Sequence, residues 1–148
     1  MPREIRYQGA IIKDDQILLI LNHILKTGET YWLLPGGGIL DGETEEACII
    51  REMKEETNLD VKVERLILDE PTLEGDPYPW AKTYLCHPEG GVEGPGYEPE
   101  PEVAGEYTIS QVKWFDLRDA TIWELKLLND PITYPTLQKI RKVLGYDT

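Results

Sequence analysis

Glu52, Glu55 and Glu56 occupy positions i, i+3 and i+4 of the stretch REMKEETNL, residues 51–59, and Leu34-Pro35-Gly36-Gly37-Gly38 lies a short way upstream. On a helix advancing about 100° per residue the three carboxylates share one face, because residues three and four apart are surface neighbours. Like charges so spaced repel by roughly a few tenths of a kcal/mol each. The ordinary reading of such a run is a solvated acidic face. The glycines point elsewhere. They let backbone approach a ligand closely, and carboxylate oxygens gathered on one helix face suit Mg²⁺, which also takes water and phosphate oxygens. Arg51, inside the cluster, has the fork geometry to hold carboxylates bidentately. Two other glycine-loop chemistries fail: no Gly-Lys-Ser/Thr follows the glycines as a P-loop requires, and the alternating Asp/Asn ligands of an EF-hand are missing.

Gly37, five residues, Glu43, seven residues and then Arg51-Glu52-Met53-Lys54-Glu55-Glu56-Thr57-Asn58-Leu59 resembles the signature box of the Nudix hydrolases. That box reads Gly, x5, Glu, x7, Arg-Glu, an aliphatic, x, Glu-Glu, x, Gly, an aliphatic. The one departure is Asn58 in place of the late Gly, and Asn is the residue next most able to adopt the left-handed conformation. The segments LPGG, Leu34 to Gly37, and VKWFDL, Val112 to Leu117, are also similar to the family, so the resemblance runs from Ile5 to about Leu144.

The resemblance implies metal-dependent hydrolysis of a nucleoside diphosphate linked to another group, water attacking one phosphorus of the pyrophosphate. It implies Mg²⁺ as the cation, with Mn²⁺ an alternative. Glu52, Glu55, Glu56 and the Gly37 carbonyl are then expected as ligands, and Arg51 and Glu43 as the groups that fix those carboxylates. The general base is expected to be Glu52 or a glutamate from a distant loop. Relatives place that loop glutamate shortly before the strand bearing a Trp, which favours Glu106, eight residues before Trp114 and preceded by Gly105. Glu102 comes second, and Glu98 and Glu100, flanked by prolines, are expected to be held extended in solvent.

The substrate is expected to be a small nucleotide-type molecule: a nucleoside triphosphate, ADP-ribose, a dinucleoside polyphosphate or a sugar nucleotide. Pro71, Pro77 and Tyr78 downstream of the box match no pattern that selects among these. Tyr78, Trp80, Tyr97 and Tyr107 have the rings to stack on a nucleobase, although packing is the commoner role of each. His23, beside Asn22, ends a strand where relatives often carry a basic residue touching phosphate, and a strand-end role is its ordinary reading. His87 reads as a solvated loop residue and Cys48 as a small packing residue. Gly38 stands where some relatives place a catalytic lysine. A catalytically silent Nudix-fold nucleotide-binding module would normally have lost box carboxylates, all of which stand here. A Nudix-fold isomerase of allylic diphosphates would need a cysteine and histidine set that Cys48, Cys86, His23 and His87 do not evidently form.

The formal net charge of −13 opposes binding to duplex nucleic acid, which rests on Lys and Arg displacing counterions from phosphates. It also repels an anionic substrate unless bound cations reverse the local field. At 148 residues the chain is expected to form one domain over 1–148. The N-terminal segment shows neither a signal-peptide pattern nor a membrane span, and two cysteines without CxxC spacing support neither zinc nor a disulfide framework. A cytoplasmic setting is expected, and a homo-oligomer stays open.

The elements that must position these groups follow from patterning. Ile5 to Lys13 and Gln16 to Leu21 flank Asp14-Asp15 as a hairpin. Tyr31 to Leu34 is a strand feeding the glycines. Thr44 caps a helix that ends at Asn58, with Ala47, Ile50 and Met53 as its apolar side. Val61 to Leu68, Trp80 to Cys86 and Val112 to Leu117 are strands, and His87 to Gly105 is a Gly-, Pro- and Glu-rich loop. Ile122, Leu125 and Leu128, then Leu137, Ile140, Val143 and Leu144, mark two late amphipathic helices. The fold class expected is α+β, an α/β/α sandwich with a mixed sheet between helices.

Overall fold

The computed structural model describes residues 4–96 and 107–146. Strands β1 (Ile5–Lys13) and β2 (Gln16–Ile24) form the expected hairpin. Asp14 and Asp15 turn it with φ of 51° and 63°, the left-handed pair that matches a two-residue turn to the twist of its strands. The two strands pair only near the turn, at Ile12 with Ile17 and Lys13 with Gln16. Beyond that they part. β1 takes β4 (Gly36–Gly37) antiparallel and β6 (Trp80–Gly90) parallel, and β6 takes β5 (Asp60–Pro71). β2 takes β3 (Thr30–Leu33) on one edge and β7 (Tyr107–Asp116) on the other. The glycines therefore enter the sheet where it splits.

Helix α1 (Glu45–Thr57) lies against β1 and β5. Its core contains Tyr7, Ile11, Leu18, Cys48, Ile49, Met53, Leu59 and Val61. The opposite face of the sheet carries α2 (Leu125–Leu128) and α3 (Thr133–Leu144) after a 3₁₀ turn at Ala120–Ile122. There Trp32, Phe115, Leu117, Trp123, Leu127, Leu137 and Ile140 form a second core. The chain is thus the expected α+β sandwich, a mixed sheet between helices.

Several boundaries and faces differ from the sequence reading. β6 continues to Gly90 and β7 begins at Tyr107, so the segment read as a loop from His87 is strand at its start. Leu125 and Ile122 are 72% and 66% exposed, and the chain buries Trp123 and Leu127 instead. The four-residue α2 is too short to hold a helical stripe, so one tryptophan and one leucine fix it. On α1, Ile50 is 40% exposed while Cys48, Ile49 and Met53 are buried.

The reason is that Glu52 and Glu56 are buried too, at 1% and 2% exposure. At about 100° per residue, Cys48, Glu52, Glu56, Ile49, Met53 and Thr57 follow one another round a single arc of about 180°. The carboxylates lie inside the buried arc, and Ile50 falls outside it.

Candidate functional site

The box helix is fixed at both ends by its own residues. Thr44 Oγ1 accepts from the Ala47 amide at 3.1 Å, and Asn58 closes the helix at φ 65° with its amide bonded to the Lys54 carbonyl. Those caps orient the helix, and the two glycines of β4 bring backbone onto it. Glu56 Oε1 accepts from the Gly36 amide at 2.6 Å. A Cβ on Gly37 would stand 2.6 Å from Glu52 Oε1, and one on Gly36 would run into the Tyr7 carbonyl and the Gln8 backbone, which cannot give way, so Gly36 admits this approach only as glycine.

Arg51 ties the rest together. Its Nε and Nη2 donate to Glu43 Oε2 and Oε1 at 2.7 and 2.9 Å, and Nη2 also reaches the Gly38 carbonyl at 3.0 Å. Its Nη1 donates to Glu52 Oε1 at 2.8 Å and Glu55 Oε1 at 3.2 Å. Glu43 Oε1 accepts from the Leu40 amide at 3.0 Å. The hydrogen bond from Arg51 holds the Glu43 carboxyl below its usual range against the opposing effect of burial. The guanidinium is raised in turn, chiefly by its bond to Glu43. The structure thus gathers Gly37, Glu43, Arg51, Glu52, Glu55 and Glu56. Glu106, with Glu98, Glu100 and Glu102, lies outside the described residues.

Among the described residues no three His, Cys, Asp or Glu side chains are gathered as a metal centre. The Nη1 bonds of Arg51 to Glu52 and Glu55 stand where those oxygens would serve a cation. The donor set nevertheless fits a hard divalent ion: two buried carboxylates and glycine backbone, all oxygen donors. Release of Nη1 leaves the Arg51–Glu43 fork in place.

A cleft of about 690 Å³ opens beside Gly36 and Gly37. Arg6 lines it and was not singled out from sequence. Its Nη2 donates to the Leu34 carbonyl at 2.8 Å and its Nε to Gln8 Oε1 at 3.2 Å. Burial works against its charge, but Glu56 first, then Tyr78, Tyr107 and Glu52, outweigh that and leave its pKa raised. The sequence signal was a cation alternating with Gln8 in a strand otherwise apolar toward the core. Asn22, rather than the neighbouring His23, lines the cleft, as do Tyr78 and Tyr107. Trp80 instead donates to Asp69 at 2.6 Å on the surface, and His87 pairs with Glu64 at 2.9 Å there. Tyr97 lies outside the described residues. Cys48 is fully buried, its thiol pushed up to about 12, by desolvation first.

The NUDIX domain family profile matches residues 5–139, and the chain belongs to that family. It is similar to the NAD-capped RNA hydrolase NudC of Photobacterium profundum, 36% identical over 95 residues, 60% of this chain and 32% of that one. It is also similar to an ADP-ribose pyrophosphatase of Methanocaldococcus jannaschii, 46% identical over 61 residues, 40% of this chain and 34% of that protein. The chain spans about a third of the length of the curated relatives it matches. The crystal structure of an ADP-ribose pyrophosphatase from Streptococcus suis shares the fold, with a TM-score of 0.65 at 22% identity over 100% of this chain and 94% of that one. Among the described residues no helix is long and apolar enough to cross a membrane.

Proposed function

We propose that this chain hydrolyses the pyrophosphate bond of a small nucleotide-type substrate, a nucleoside diphosphate linked to another group, with Mg²⁺ as its cation. The observation that carries the reading is the pair of buried carboxylates, Glu52 and Glu56, set against the Gly36–Gly37 backbone at the edge of the cleft. Two carboxylates taken out of water beside an anionic substrate call for positive charge, and Arg6 and Arg51 supply part of it. In this reading Glu52, Glu55, Glu56 and the Gly37 carbonyl hold the cation. Such an ion, when bound, neutralises charge on the phosphates and lowers the pKa of water.

Arg51 and Glu43 act by position, the fork between them fixing where Glu52 and Glu55 present their oxygens. Arg6 faces the phosphates from β1. Glu52 or Glu106 takes the proton from the attacking water. A cytoplasmic location belongs to the same proposal, supported by the free state of the buried Cys48 and Cys86. The alternative is a silent nucleotide-binding module on the same fold, in which Arg51 Nη1 would stay on Glu52 and Glu55 with no cation between them.

Turnover of nucleoside triphosphates, ADP-ribose, dinucleoside polyphosphates and sugar nucleotides, with and without Mg²⁺, separates the two. Hydrolysis that stops in chelator and falls about 10²-fold or more in Glu56→Gln protein is expected. Undiminished turnover in either case sinks the metal role, and binding without turnover of any substrate selects the silent module.

A further inference from the structure

The cleft is poor in cations. Among its described lining residues, Arg6 and Lys139 are the Lys and Arg side chains, and Lys139 is already paired with Glu70 at 2.9 Å. Residues 97–106 contain no lysine or arginine in sequence. The wall formed by the end of β5, the β5–β6 connection and the α2–α3 connection is acidic instead, with Glu70 on β5, Asp76 and Asp130.

Two of these carboxylates are held by backbone. Asp76 Oδ1 accepts from the Tyr78 amide at 2.9 Å. Asp130 Oδ1 accepts from the amides of Ile132 and Thr133 at 2.9 and 2.7 Å. The second oxygen of each takes no part in those bonds. Each is a fixed, charged acceptor on a cleft wall that also carries Leu73, Pro77 and Ile132.

Asn22 adds an independent sign. It is 4% exposed, its Nδ2 makes a long bond of 3.4 Å to the Tyr31 hydroxyl, and among the described residues its Oδ1 has no hydrogen-bond partner. The β2–β7 ladder slips register between Leu21 and Asn22, where β7 carries Ser110 as its extra residue, so the pairing is irregular beside Asn22. A buried polar atom left unpaired destabilises the free protein, so a ligand that donates to it recovers what folding leaves unmet.

The size of the cleft, about 690 Å³, is that of a site holding most of a ligand rather than one ring. A cleft of that size has room for the groups on either side of the diphosphate. A further phosphate would meet Asp76, Asp130 and Glu70 with Lys139 already engaged, whereas hydroxyl groups would donate to the same oxygens. We propose, on the pyrophosphohydrolase reading above, that the group beyond the diphosphate is an uncharged, hydroxyl-rich moiety of the sugar type, read by Asp76, Asp130 and Asn22, and not a further phosphate.

Calorimetric titration in Mg²⁺ with α,β-methylene analogues, whose bridging carbon resists hydrolysis, tests this without turnover, comparing the ADP-ribose analogue with the ATP analogue and the UDP-glucose analogue with the UTP analogue. At least one sugar nucleotide binds about tenfold or more tightly than its matched triphosphate, the scale of hydrogen bonds to charged groups. Asp76→Asn and Asp130→Asn keep the backbone-bonded oxygen and turn the other into a donor, and each shifts that ratio at least about fivefold toward the triphosphate. Asn22→Leu raises Tm, since it removes an unpaired buried acceptor, and weakens sugar-nucleotide binding.

A triphosphate bound as tightly as its sugar nucleotide, a ratio unmoved by all three variants, or no binding by either pair overturns the proposal. A sugar-nucleotide preference that shifts as described, in a protein showing no hydrolysis with Mg²⁺, upholds it and overturns the pyrophosphohydrolase reading alone.

Discussion

The two walls of the cleft are assembled in opposite ways. On the box side, Gly36, Gly37, Glu43, Arg51, Glu52, Glu55 and Glu56 all come from one run of chain, and most of their geometry is set by helical periodicity plus two caps. On the other side, Asp76, Asp130 and Lys139 come from three separate segments. Each of the two aspartates is pinned by the backbone just downstream of itself. The carboxylates carried by one helix keep their mutual spacing however the rest of the chain varies, although β4 reaches them only by pairing with β1. A wall built from several segments depends on how a hairpin connection and a helix connection meet, the kind of surface that loop changes re-shape without disturbing the sheet. On the proposed reading, chemistry falls to the first wall and discrimination to the second, a division of labour that follows from how each wall is held.

The largest effect that sharpens this comparison is expected from Arg51→Lys. Lysine keeps the charge but loses the fork that grips Glu43 while reaching Glu52 and Glu55. Loss of such a supporting contact commonly lowers metal affinity or activity about 10- to 100-fold. A Mg²⁺ titration of the rate together with a circular dichroism spectrum checks it. A native spectrum with wild-type metal dependence would mean that the box wall does not rely on this residue for its geometry.

A smaller effect concerns acid. Glu43 is lowered from its ordinary value of 4.5 by Arg51. A group whose folded pKa is depressed contributes stability above the unfolded value, and that contribution is lost as pH falls through the folded value. The difference in Tm between wild-type protein and Glu43→Gln should therefore be full near neutrality and shrink below about pH 4.5. A difference that stays constant down to about pH 3 would assign the Glu43–Arg51 pair no such linkage.

The smallest concerns the helix stop. Asn58→Ala places a Cβ-bearing residue without a polar side chain at φ 65° and removes the bond from Nδ2 to the Val92 carbonyl at 3.0 Å. A loss of about 1–2 kcal/mol is expected, read from denaturant unfolding, with Asn58→Gly losing less. Equal stabilities of the Ala and Gly variants would show that the left-handed cap contributes little to placing the box.

The sequence by itself determined what one helix and its flanks determine. The i, i+3, i+4 spacing put Glu52, Glu55 and Glu56 together, Thr44 and Asn58 marked the helix ends, and Asp14-Asp15 marked the hairpin. All of these depend on local backbone geometry, which near neighbours fix.

Only tertiary structure decided which way the helix turned. From Ala47, Ile50 and Met53 the apolar side is read as opposite to the carboxylates, which are set on a ligand-binding face of their own. Packing against β1 and β5 buried Cys48, Ile49 and Met53 together with Glu52 and Glu56 and left Ile50 outside. A carboxylate goes inside when a glycine amide, a guanidinium or a bound cation meets it there, and those partners come from β4 and β1, which no helical period foretells. Arg6, Asn22, Asp76 and Asp130 were illegible for the same reason: each is an ordinary polar residue in sequence, and only the split sheet and the meeting of distant connections make them neighbours around one cleft.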